Sequence, residues 1–237
     1  MAQQAPQNQP VTLYTWNTQG NFTQGPKGEV VQQMLGVQTP ALTFVQEGGV
    51  NLAGDYQGYK AVAGFAVGAF NERCTNYILY NDAWGRLEPV LLVDGLGSAL
   101  IGGGQAGRTP AAVALDRTLF VSWHSLAAPN NLDTSAVFQA FQLAAIYKQY
   151  DQIFVGGDFN ASPDDVEKIL VRIPNDRNEV NFSATIVRCG QPTQKTYQKE
   201  IDFFVLFAKA PVQLQGVLVN VVPSDHEAVR TDLLLTF

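Results

Sequence analysis

The sequence predicts one domain of mixed α and β structure, in which two packed sheets are flanked by helices. Three observations predict it. Short runs rich in β-branched and aromatic residues recur along the chain, each bounded by Gly, Pro, Asp or Asn, as strands are. Helical patterns are interleaved with these runs rather than gathered at one end. Apolar residues, 46% of the 237, are spread evenly with no low-complexity linker. Residues 11–237 are therefore expected to form a single domain behind a frayed, polar segment over residues 1–10.

Each element has a local cause. Val11 to Trp16 is β-branched and aromatic and forms a strand ending at Asn17. From Gly28, the spacing of Val31, Met34 and Leu35 makes one apolar helical face, and Gly36 supplies a stop. Leu42 to Gln46 is the next strand and ends at Glu47-Gly-Gly. Strands are then predicted at Tyr77–Tyr80, Pro89–Val93, Ala111–Leu115 and Leu119–Trp123. The glycine-rich stretches at 94–98 and 102–107 are loops rather than phosphate cradles, because no helical pattern follows them. A helix over Thr134–Tyr147, with Val137, Phe138, Phe141, Ala144 and Ala145 on one side, leads into the strand Gln152–Val155. Ser162-Pro-Asp-Asp opens another helix: Ser162 caps it, Pro163 fits the first turn, and Asp164 and Asp165 complement the positive helix end. Late strands are predicted at Phe182–Val187, Ile201–Leu206, Val212–Val222 and Ala228–Phe237.

The net charge of −6 argues against binding polyanions by bulk attraction, although a local basic patch or a bound divalent cation can reverse the field at one site. No apolar stretch approaches the roughly 20 residues that span a bilayer. The polar N-terminal segment lacks the apolar core of a secretory signal, so the chain is expected either to be intracellular or to have lost its signal. Cys74 and Cys189 allow one disulfide or two thiols.

Polar residues end or interrupt the predicted strands: Asn17, Glu47, His124, Asp158, Asn160, Asp202, Asp225 and His226. His124 and His226 are the chain's two histidines. Side chains at the ends of successive strands can converge on one rim. Glu47 and the aspartates are hard oxygen ligands suited to Mg²⁺, which keeps several waters and needs one or two carboxylates plus substrate phosphate. Zinc would need closely grouped His and Cys, which this chain lacks. A serine hydrolase is disfavoured, because there is no Gly-x-Ser-x-Gly elbow and Ser125, next to His124 in a strand, would face away from it. Asp225 and His226 are neighbours in an extended segment, so their side chains should point apart. Asp202, from another strand, is then the better partner for the His226 ring, where it would fix the tautomer and raise the pKa. The alternative role for Asp202 is to satisfy backbone donors.

Six ordered motifs carry a resemblance: Thr15-Trp-Asn-Thr-Gln-Gly20, Phe44-Val-Gln-Glu-Gly-Gly49, Trp123-His-Ser-Leu-Ala127, Val155-Gly-Gly-Asp-Phe-Asn160, Ile201-Asp-Phe and Ser224-Asp-His226. Across nearly the whole chain they resemble the endonuclease/exonuclease/phosphatase superfamily, the fold of pancreatic deoxyribonuclease. Within it, they look most like the catalytic B subunit of cytolethal distending toxins. The resemblance implies an α+β fold, a four-layer α/β/β/α sandwich, and hydrolysis of phosphoesters with Mg²⁺, for which Mn²⁺ may substitute. It implies Glu47 as principal metal ligand with Asn17 and Asp225 beside the metal. Asp158 and Asn160 would position water and phosphate, Asp202 and His226 would form the acid–base pair, and His124 would be the second histidine at the phosphate. Arg108 resembles the family's phosphate-contacting arginine, and a guanidinium suits that role; the alternative is an ordinary solvated arginine. Arg73, in Asn71-Glu-Arg-Cys-Thr-Asn, aligns loosely with a substrate-contact stretch.

The chain departs from the toxin subunits in charge. It has 15 Lys and Arg in all, whereas the toxin subunits are Arg-rich. The expected activity is a phosphodiesterase cleaving DNA with little sequence preference. The alternatives are a phosphatase acting on phosphoinositides or other phosphomonoesters, and a catalytically silent binding scaffold. The toxin resemblance implies secretion, with the signal peptide absent from this chain, and delivery subunits as partners; the alternative location is the cytoplasm. If the protein is secreted, Cys74 and Cys189 are expected to be free thiols, since Cys74 lies beside the substrate-contact stretch and none of the six ordered motifs contains a cysteine.

Overall fold

The computed structural model describes residues 8–50, 52, 54–64, 75–85, 87–90, 110–125, 150–172, 183–209, 214–221 and 224–236. The elements in chain order are β1 (Asn8–Asn17), α1 (Gly25–Leu35), β2 (Ala41–Gln46), β3 (Gly54–Tyr56), β4 (Tyr59–Ala63), β5 (Tyr77–Tyr80), β6 (Glu88–Pro89), β7 (Ala111–Leu115), β8 (Thr118–His124), β9 (Gln152–Asp158), α2 (Pro163–Arg172), β10 (Ser183–Val187), β11 (Asp202–Ala208), β12 (Val217–Val219) and β13 (Ala228–Thr236), with a short 3₁₀ turn at Asp82–Trp84. They form a seven-stranded sheet in the order β12-β13-β1-β2-β5-β4-β3 and a six-stranded sheet in the order β10-β11-β9-β8-β7-β6. Neighbouring strands are antiparallel except β1 with β2 and β8 with β9. Parallel neighbours need a long crossover, and α1 supplies it for the first pair. The helix expected over Thr134–Tyr147 falls in the second crossover, outside the described residues.

Three apolar layers define the architecture. Val11, Leu13, Leu42, Phe44 and Ile78 of the first sheet meet Phe120, Phe154, Phe204 and Leu206 of the second. Phe44 and Phe204 touch edge to face across this interface, with ring centroids 5.7 Å apart. On the outer side of the first sheet, Val31, Met34 and Leu35 of α1 cover Tyr14, Trp16 and Val45. On the outer side of the second, Val166 and Ile169 of α2 cover Val121, Val155, Phe203 and Val205. The result is the expected four-layer α/β/β/α sandwich, with helix content low among the described residues. No helix among those residues is long and apolar enough to cross a membrane.

Local chemistry sets the boundaries. α1 begins at Gly25 rather than Gly28, because Pro26 fits the first helical turn and extends the helix backwards. α2 begins as the sequence predicts: Ser162 Oγ accepts the Asp165 N–H at 3.2 Å and donates to Asp165 Oδ2 at 2.7 Å. Asp164, the other expected helix-end acid, ion-pairs with Arg188. The hairpin β3–β4 was not predicted. Its two-residue turn has Gln57 and Gly58 at φ 48° and 86°, a left-handed pair in which only Gly58 marks the sequence. Of the strand expected over 212–222, the described residues show Val217–Val219, with 212–213 and 222 outside them, and that expected over 89–93 shows only its first residue, with 91–93 outside the described residues.

Tight strand packing makes a demand at Gly157. A Cβ there would lie 1.9 Å from the Trp123 carbonyl oxygen on the paired strand. Gly157→Ala should therefore cost about 2 kcal/mol or more, since backbone must move to admit the methyl group. Urea unfolding would show it as a lowered midpoint, and a loss within about 0.5 kcal/mol, the usual range for surface changes, would contradict this packing.

Candidate active site

The period of two along a strand explains why the polar residues meet. In each central strand, residues facing the inter-sheet core alternate with residues facing a helix layer. The inward rows run Val11, Leu13, Thr15, Asn17 in β1; Leu42, Phe44, Gln46 in β2; Phe120, Ser122, His124 in β8; Phe154, Gly156, Asp158 in β9; and Leu206, Phe204, Asp202 in β11. Each row starts apolar and turns polar at the same end. Register aligns the ends: Asp158 is paired laterally with His124 on one side and Asp202 on the other. Asn17 pairs with Gln46 in the facing sheet.

Asp158 is the centre of the arrangement. It is 2% exposed. Asn17 Nδ2 donates to its Oδ2 at 2.9 Å from the opposite sheet, and the Asn160 N–H donates to its Oδ1 at 2.8 Å. Asn160, at φ 48°, also donates its Nδ2 to the Ser125 carbonyl at 2.9 Å, which ties the turn after β9 to the end of β8. Burial, and then repulsion by Asp202, push the Asp158 carboxyl well above the usual carboxylate range, against the opposing effects of His226, Asn17 and Asn160. His124 lies between two carboxylates, with Nε2 3.7 Å from both Asp158 Oδ2 and Glu47 Oε1.

His226 Nδ1 sits 2.8 Å from Asp202 Oδ2, the partnership expected from the sequence. Asp202 is fully buried, and its backbone N–H donates to Thr193 Oγ1 at 3.0 Å. Desolvation pulls the His226 pKa down, but the charge and hydrogen bond of Asp202 outweigh it, with help from Asp158 and Asp225, and raise it to about 9.

Asp225 corrects the sequence reading. Its Oδ1 lies 3.6 Å from His226 Nε2, so the two neighbouring side chains share one rim instead of pointing apart. The segment is bent rather than extended: Ser224 Oγ accepts the His226 N–H at 3.1 Å and donates to the Asn17 carbonyl at 2.9 Å, folding the chain back on β1.

Glu47 and Asp225 are the accessible acids, with side chains 23% and 33% exposed against 3% or less for Asp158 and Asp202. Among the described residues, one group of three ligating side chains has all its donor atoms within 4.8 Å of one another: Asp158, Asp202 and His226. There, Nδ1 of His226 is committed to Asp202, and a cation would have to displace that bond. Asp225 Oδ1 is buried without a hydrogen-bond partner, as is Asp202 Oδ1. The Glu47–Asp225 side thus offers a reachable carboxylate and an unsatisfied oxygen, a donor set that fits a hard divalent cation.

Asn17, Glu47, His124, Asp158, Asn160, Asp202, Asp225 and His226 therefore gather at one rim, while Arg73 and Arg108 lie outside the described residues. So does Cys74; Cys189 is a free cysteine whose thiol burial pushes up to about 11. Sequence reading missed the floor beneath the rim. Gln46 Nε2 donates to Ser122 Oγ at 3.0 Å across the two sheets, and Thr15 Oγ1 lies 3.4 Å from Gln46 Oε1. These three are polar at inward positions of alternating strands, a signal that was present in the sequence. It also missed Lys195, whose ammonium donates to the Val221 and Ser224 carbonyls at 2.6 and 2.7 Å and pairs with Glu227 at 3.2 Å, bracing the segment that carries Asp225 and His226.

The ring of His226 gives a direct check. Because its folded pKa is raised, the stability it contributes is fully present below its unfolded value near 6.5 and is lost as pH rises through about 9. NMR of the imidazole nitrogens in metal-free protein should follow a titration far above 6.5, brought down by Asp202→Asn. A ring that titrates near 6.5 with Asp202 intact would contradict the pairing.

No family model matches the chain, and no curated protein matches its sequence. Solved structures do. The cytolethal distending toxin of Haemophilus ducreyi aligns over 93% of this chain and 96% of its own at 18% identity, with a TM-score of 0.64. The endonuclease domain of TRAS1, a telomere-specific non-LTR retrotransposon, covers 94% and 98% at 12% identity and 0.60. The human Nocturnin catalytic domain, solved with a bound sulfate anion, covers 96% and 95% at 13% identity and 0.59. The chain has the deoxyribonuclease I-like fold.

Proposed function

We propose that the protein is a divalent-metal-dependent phosphodiesterase that cleaves DNA with little sequence preference, of the kind found in the toxin B subunits. The observation that carries this is the lateral row His124–Asp158–Asp202, closed by His226 and Asn17, at the end of the sandwich where Glu47 is accessible. The endonuclease named among the fold neighbours supports a nucleic-acid substrate, and the sulfate held by Nocturnin supports a site for a tetrahedral anion.

The residues divide the work by charge state. Asp158, raised in pKa by burial, is a carboxylate with unusual appetite for a proton, and takes one from the attacking water. Asn17 and Asn160 hold that carboxylate by its two oxygens. His226, protonated at neutral pH because Asp202 lies against Nδ1, turns Nε2 and its positive charge toward the phosphate oxygens. His124 offers a second ring at the same rim. The water oxygen forms its bond to phosphorus, the bond from phosphorus to the ester oxygen breaks, and the released oxygen takes a proton from solvent. Glu47, with Asn17 and Asp225 beside it, would hold Mg²⁺ or Mn²⁺, which supplies Lewis-acid neutralisation of charge on the phosphate when bound.

Hydrolysis of a soluble phosphomonoester or a phosphoinositide is the second reading, favoured by the net charge of −6, which repels a long polyanion more than a small one. In the toxin-like reading, partner subunits would deliver the chain, and it would act after secretion.

Plasmid nicking should vanish with chelator and return with Mg²⁺ or Mn²⁺. Full nicking in excess chelator would sink the metal mechanism. His124→Ala, His226→Ala and Asp158→Ala should each lower turnover by about 10² or more while the protein stays folded. Near-normal turnover in any one of them removes that residue from the chemistry. Release of phosphate from a phosphomonoester, without nicking at high enzyme concentration, transfers the assignment to the phosphatase.

A further inference from the structure

Glu47 adopts a backbone conformation that its side chain disfavours. Its φ of 51° lies in the left-handed region, which a non-glycine residue disfavours, so surrounding structure must impose it. What imposes it is the turn after β1. The Gly20 N–H donates to the Glu47 carbonyl at 2.7 Å, and Thr18 Oγ1 lies 3.2 Å from the same oxygen. The Thr18 N–H donates to the Gln46 carbonyl at 3.0 Å. The two turns interlock closely enough that a Cβ on Gly49 would lie 2.4 Å from the Asn21 nitrogen.

The turn that grips Glu47 is itself pinned by Lys27. The lysine ammonium donates to the Thr18 carbonyl and, at 3.0 Å, to the Gln19 carbonyl. Nothing in α1 explains a cation at this place. Lys27 is in the first turn, where the helix dipole disfavours positive charge, and that turn has no acidic residue and no side-chain cap. The side chain is half-buried, and burial pulls its pKa below the usual lysine value while Glu47 and Asp225 push it back up. A partly desolvated ammonium at the wrong end of a helix is retained at a cost, and the groups it serves are the two carbonyls and the acids beyond them.

We infer that Lys27 is a positioning residue: by clamping the Thr18–Gln19 carbonyls it holds Glu47 in the left-handed conformation that points its carboxylate to the cation site, and so sets the affinity of that site. This rests on the proposed placement of the metal at Glu47. Electrostatics alone predicts the opposite sign, because an ammonium near two carboxylates repels a divalent cation, and deleting it would tighten binding. The sign of the change therefore separates a clamp from a bystander charge.

The test is direct Mn²⁺ binding to the full chain, read as loss of the free-ion electron paramagnetic resonance signal, for the parent, Lys27→Met and Lys27→Gln, with circular dichroism to establish that each is folded. The clamp predicts affinity about 10-fold weaker or more in the folded variants, the usual scale for loss of a group that orients a ligand. Unchanged or tighter binding in a folded variant overturns it. If the parent itself fails to bind Mn²⁺, or binds equally well after Glu47→Gln, the metal reading falls and this inference falls with it.

Discussion

A carboxylate removed from water must be surrounded by groups that compensate it, and Asp158 imposes that constraint on the whole rim. It lies at the seam of two sheets, where hydrophobic packing above it excludes solvent. Without donors, its charge would cost several kcal/mol. One donor comes from the opposing sheet through Asn17, one from the turn that follows through Asn160, and positive charge comes from His226. The Asn17–Asp158 bond also ties the two sheets together at this end. The two raised pKa values have different leading causes: burial, and then the neighbouring Asp202 carboxylate, lift that of Asp158, whereas that of His226 is lifted against its own desolvation by Asp202, with Asp158 and Asp225 behind it.

Much of this was legible because strand alternation is a simple code. Apolar runs that end in Asn, Asp or His announce both the strand and the side of the sheet its last residue faces. Asp158, Asp202 and His124 are at such ends, and pairing them needed only register. The Asp202–His226 pair was also accessible, since a carboxylate from another strand was the natural partner for a ring at Ser224-Asp-His226. What alternation does not encode is a bend. The Ser224 hydroxyl converts the segment into a turn, and Asp225 and His226, expected to point apart, then share the rim.

The remaining gaps have similar causes. The β3–β4 hairpin is held by a turn that only one glycine marks. Lys27 and Lys195 act through their ammonium groups on backbone carbonyls of other segments, and no spacing rule reports a lysine that reaches into a turn. Gln46 and Ser122 were within reach, because a polar residue on an inward row must have a partner. The scarcity of cations in the composition acquires a structural aspect here: two of the 15 Lys and Arg brace turns at the rim instead of standing free to meet a polyanion.

The central claim is that phosphate and cation meet at the Glu47 side of the rim, leaving the Asp202–His226 bond intact. A crystal structure of the full chain soaked with Mn²⁺ and a short DNA bearing a non-hydrolysable linkage tests it most directly. The account predicts anomalous density beside the Glu47 carboxylate and a phosphate oxygen within hydrogen-bond reach of His226 Nε2. Manganese seated between Asp158, Asp202 and His226, with the Asp202–His226 bond broken, would contradict it.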